Sequence, residues 1–83
     1  MDKILVEVYV PVLEKSYDFF IPLQLQMSDV LELMKRGIAD LTGGEYISNE
    51  DSFICHKENG AIININKSVV ELGLKNGSRL MLI

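Results

Sequence analysis

The chain has 83 residues, 48% of them hydrophobic and 24% charged, the composition of one small folded domain spanning 1–83. A domain of that size buries only about 60–65% of the surface its unfolded chain exposes, which leaves little chain for a deep enclosed active site. Twelve acids against eight bases give a net charge of −4, so the basic patch that nucleic acid or an anionic membrane surface requires is lacking, Lys35–Arg36 being the nearest approach.

Residues 3–10, Lys-Ile-Leu-Val-Glu-Val-Tyr-Val, are β-branched and alternate. Ile4, Val6, Val8 and Val10 share one face of a strand, while Glu7 and Tyr9 share the other. Pro11 lacks a ladder donor and ends the strand. After the polar Glu14-Lys15-Ser16, a second strand is expected over 17–23, with Tyr17, Phe19, Ile21 and Leu23 on one face and Asp18 and Phe20 on the other. Pro22 places that strand at a sheet edge.

Ser28 ahead of Asp29-Val-Leu-Glu reads as a helix N-cap, with Asp29 and Glu32 suited to the positive end of the helix dipole. Val30, Leu33, Met34, Ile38 and Leu41 form the expected apolar stripe, and Leu31 falls on the exposed back. Gly43-Gly44 closes the helix, and Gly37, costly inside one, fits a close approach to the sheet.

A polar connection over 45–52 leads to a third strand over 53–57, a turn at Glu58-Asn59-Gly60 and a short fourth strand over 61–65. Phe53 and Ile54 are equal candidates for the buried member of strand three, so the orientation of Cys55 and His56 stays open. Residues 67–74 suit a helical turn that packs Val69 and Leu72 or Leu74, and Asn76-Gly77 turns into a last strand over 78–83. That strand is expected at the centre of a mixed sheet, parallel to the first, after a long crossover.

Chemistry finds little support. Cys55 and His56 are adjacent in a strand, which points them to opposite faces and away from a nucleophile–base contact. Asp29 with Glu32 reads as helix-start electrostatics, and Glu50 with Asp51 as a solvated loop. One cysteine cannot make an internal disulfide, an all-cysteine zinc site or an iron–sulfur cluster. No cofactor or metal is expected, and the chain reads as a non-enzyme. With no signal peptide and no run of roughly 20 apolar residues, a cytoplasmic protein without membrane insertion is expected.

The order strand, strand, helix, strand, strand, turn, strand is that of the α+β β-grasp fold, a mixed sheet of four to five strands with one helix across one face. The C-terminal stretch resembles the end of ubiquitin-like domains: Ser68, Val69 and Glu71, then Gly73-Leu74, the Asn76-Gly77 turn, and alternating Leu80 and Leu82. Within that superfamily the chain is most similar to the small YukD-type proteins of Gram-positive type VII secretion systems, in its length, in the Asn-Gly turn before the last strand and in Tyr17-Asp18-Phe19 of the first hairpin. The resemblance implies a non-conjugating bacterial protein-interaction module, an accessory or regulatory component of such a system, with secretion-machinery components as partners. Conjugated relatives carry a flexible Gly-Gly tail, whereas the Gly-Gly of this sequence is the internal helix cap. The alternatives are a modifier or sulfur carrier whose tail is absent from this chain, and a self-associating module that forms a homodimer. If the even-numbered face of the first strand meets the helix, Leu5, Tyr9, Phe20, Met81 and Ile83 face away from it and form the expected protein-interaction surface.

Overall fold

The computed structural model describes residues 2–47 and 50–83. Met1, and Ser48 and Asn49 in the expected polar connection, lie outside the described residues. The elements are β1 (Lys3–Val10), β2 (Lys15–Pro22), α1 (Met27–Leu41), β3 (Ile54–His56) and β4 (Arg79–Leu82). They build a four-stranded mixed sheet in the order β2-β1-β4-β3, with β2 at an edge as Pro22 suggests. β1 runs antiparallel to β2, with Ile4 opposite Ile21 and Val6 opposite Phe19. It runs parallel to β4, with Val8 opposite Leu80.

That register gathers Ile4, Val6, Val8 and Val10, with Ile21, Ile54, Leu80 and Leu82, into one buried cluster with the helix. Removing each such aliphatic side chain from water contributes about 1.5–3 kcal/mol, so one packed face dominates the fold. The helix contributes Met27, Val30, Leu31, Met34 and Ile38. This stripe is rotated from the expected one: Leu31 is buried, whereas Leu33 and Leu41 are exposed. Met27 begins the helix and fixes its phase, which brings Leu31 rather than Leu33 inward, and Leu41 falls on the last helical residue.

Ser28 is not the cap. Gln26 holds that place without a side-chain bond. The first helical amides are instead satisfied by main-chain carbonyls from far along the chain, Met27 N–H donating to Lys67 O (2.9 Å) and Ser28 N–H to Ile65 O (3.0 Å). The same contacts explain why the expected fourth strand over 61–65 is absent. Only the bridge of Ile62 to Cys55 forms before the chain leaves the sheet. Asn66 N–H bonds Asn64 Oδ1 (2.9 Å), turning the chain toward the helix start.

The helix exit matches expectation. Gly43 and Gly44 have φ of 62° and 91°, and Gly44 N–H donates to Ala39 O (3.0 Å). Gly37 sits close to the sheet, where a Cβ would come 3.0 Å from Phe19 Cε1. The expected helical turn forms as a reciprocal capping box, Ser68 N–H to Glu71 Oε1 (2.9 Å) and Glu71 N–H to Ser68 Oγ (3.2 Å). Both Val69 and Leu74 are buried there. In the Asn76-Gly77 turn the glycine alone takes positive φ, 87°. Asn76 contributes its side chain, whose Oδ1 accepts from Leu5 N–H at 2.8 Å.

Candidate protein-interaction face

One sheet face carries the helix; the other is open, and β1 sends Lys3, Leu5, Glu7 and Tyr9 to it. Register brings Phe20 beside Leu5, Met81 beside Tyr9 and Cys55 beside Met81. Ile83 and Phe53 exchange both main-chain hydrogen bonds at 3.0 Å and extend the pairing by one step. All five expected residues therefore belong to the open face. Phe20 is 71% exposed, Ile83 49% and Leu5 36%, while Tyr9 and Met81 are half-buried.

They do not form one continuous apolar surface. Asp18, Glu7 and Arg79 are cross-strand neighbours and make a charged row between the Leu5–Phe20 pair and the Tyr9–Met81 pair. Lys57 completes that row. Its Nζ lies 3.9 Å from Glu7 Oε2 and 4.8 Å from the Tyr9 ring centroid, so it is held by an ion pair and a cation–π contact. Beside Leu5 the neighbouring position is Gly77, which has no side chain, and a notch of ≈ 280 Å³ opens between Leu5, Glu7, Asp18 and Arg79. The face thus offers two apolar patches separated by mixed charge.

The register also resolves strand three. Ile54 pairs with Leu82 and His56 with Leu80 on the helix side, and Cys55 pairs with Met81 on the open side. Cys55 is nonetheless only 1% exposed, its thiol donating weakly to Met81 O at 3.8 Å. Burial pushes the thiol pKa up, keeping it protonated and a poor nucleophile. Cys55 and His56 thus point apart and form no dyad. Glu32 pairs with Lys35 Nζ at 3.1 Å, and Asp29, Glu50 and Asp51 are exposed. Among the described residues no three His, Cys, Asp or Glu side chains converge to hold a metal ion.

Sequence reasoning missed several exposed aliphatic residues, Val12, Ile47, Ile62 and Val70 among them. A signal existed for Ile47, which is the lone aliphatic in the polar run over 45–52. Val12 was hidden because the hairpin loop over 11–14 reads as a strand end.

No protein-family model matches the chain. None of the curated proteins matches it in sequence. Solved structures do match in shape. The ubiquitin-like domain of Dsk2 from Plasmodium falciparum is 20% identical with a TM-score of 0.74, covering 98% of this chain and 96% of that one. The ubiquitin-like domain of EccD5 from Mycobacterium xenopi is 14% identical with a TM-score of 0.72, covering 100% and 94%. The corresponding domain of yeast Ddi1 is 14% identical with a TM-score of 0.74, covering 96% and 86%. The chain has the ubiquitin-like β-grasp fold, an α+β architecture. Among the described residues no helix is long and apolar enough to cross a membrane.

Proposed function

We propose that this chain is a non-catalytic, non-conjugating ubiquitin-like interaction module that docks on a protein component of a type VII secretion system through its open sheet face. The observation that carries the reading is the exposure of Phe20 and Leu5 as a pair on that face, with Tyr9, Met81 and Ile83 beyond the charged row. An aromatic and a methionine flanked by charge suit an adaptable contact surface whose charged centre sets register. The secretion assignment is supported by the likeness to the EccD5 domain and by the YukD-type features of the first hairpin and the last turn. The protein would act in the cytoplasm, as one domain over 1–83.

The test is a tagged pull-down from the source cells, washed first under native and then under denaturing conditions. Secretion-machinery components that are lost on denaturation support the reading. Partners that survive denaturation would mean covalent attachment and a modifier. Recovery of the chain's own untagged copies alone would favour a homodimer.

A further inference from the structure

The end of the sheet where β1 and β4 both finish carries a second apolar feature. A hollow of ≈ 330 Å³ opens there, lined by Pro11, Val12, Tyr46, Ile47, Ser52, Leu82 and Ile83. Tyr46 and Leu82 are buried and belong to the core cluster, while Val12 is 80% exposed and Ile47 is 85% exposed. The floor is thus fixed by packing and the walls stand free. The volume falls at the small end of the roughly 300–1,000 Å³ of ligand pockets, a size suited to one or two inserted side chains.

The surroundings decide what enters. Glu14, Glu45 and Glu50 are all exposed and lie within three residues of lining positions in the chain. Lys15, opposite Val10 in the β1–β2 ladder, is the base at this end, whereas Lys3 starts β1 at the far end and Lys35 and Arg36 sit on the helix. An anionic lipid surface or a nucleic acid meets repulsion here. A second copy would bring its own net charge of −4 and the same acidic rim.

We propose that this end hollow is a second docking site, adjoining the open face at Ile83, for a basic peptide segment of a partner protein. The segment inserts a large aliphatic side chain between Val12 and Ile47 and sets flanking Lys or Arg against Glu14, Glu45 and Glu50.

The test is selection of phage-displayed random peptides on the full chain, with Val12→Ser/Ile47→Ser and Glu45→Gln/Glu50→Gln as comparison targets. These positions are exposed, and substitutions there leave the fold in place. Enriched peptides should combine a large aliphatic residue with Lys or Arg, and bind each double variant about tenfold more weakly. Binding should also weaken as salt is added. Enriched peptides without basic residues, or equal binding to both variants, would overturn the proposal. So would concentration-dependent self-association lost in Val12→Ser/Ile47→Ser, which would put a second copy in the hollow.

Discussion

Replacing Gly37 by Ala separates two forces that act on the same atom. In an unconstrained helix interior the change stabilises by about 1 kcal/mol, because glycine loses more backbone freedom on folding than alanine does. Here the new Cβ would stand 3.0 Å from Phe19 Cε1 and 3.6 Å from Cζ, against the roughly 3.5–4.0 Å at which carbon atoms attract. The Phe19 ring must give by about half an ångström, and it is packed against the core cluster, which limits its retreat. Overpacking of this kind costs about 1–3 kcal/mol, so Gly37→Ala should leave stability unchanged or lower it by up to about 2 kcal/mol. In a Phe19→Leu background the clashing ring atoms are gone, and the same substitution should stabilise by about 1 kcal/mol. Urea unfolding of the four chains, compared at constant m, gives the coupling energy, expected at about 1–3 kcal/mol. A full gain of about 1 kcal/mol in both backgrounds would refute the close approach of α1 to β2.

Ser68→Ala should cost about 1 kcal/mol in the same assay, because Ser68 Oγ is the acceptor for Glu71 N–H. The bonds from Ser68 hold the Glu71 carboxyl below the ordinary 4.5, so its stabilising contribution is present above that value and is lost as pH falls through the depressed folded-state value. Glu71→Gln should therefore flatten the acid limb of stability against pH; an unchanged limb would contradict the box. Glu14 takes φ 54° in the hairpin loop, and Glu14→Gly should raise stability by about 0.5–1 kcal/mol in thermal unfolding, with a loss pointing to a different turn. Cys55 should resist thiol reagents in the native protein and react at once in denaturant. Rapid native labelling would mean that the open face does not cover it.

Much of this architecture is legible residue by residue. The alternation of Ile4, Val6, Val8 and Val10 defines β1 and its buried face, and Leu80 and Leu82 mark its parallel neighbour. The helix start is not legible, because its amides are satisfied by the carbonyls of Ile65 and Lys67, roughly forty residues away in sequence, and no local cap signal records that. The same tertiary contact explains the missing fourth strand. Parity alone assigns Leu5, Tyr9, Phe20, Met81 and Ile83 to the open face. The charged row that divides them emerges only when the registers of all four strands are combined, since Asp18, Glu7, Arg79 and Lys57 come from four separate segments. Cys55 shows the limit of parity most clearly, for it lies on the open face and is buried all the same.

The central claim is that the open sheet face binds a protein partner, and Phe20→Asp combined with Met81→Asp tests it most directly. The two positions lie on opposite sides of the charged row, and neither belongs to the core cluster. The account predicts that the doubly substituted chain keeps its circular dichroism spectrum and loses its native pull-down partners. Retention of those partners by a folded double variant would contradict it.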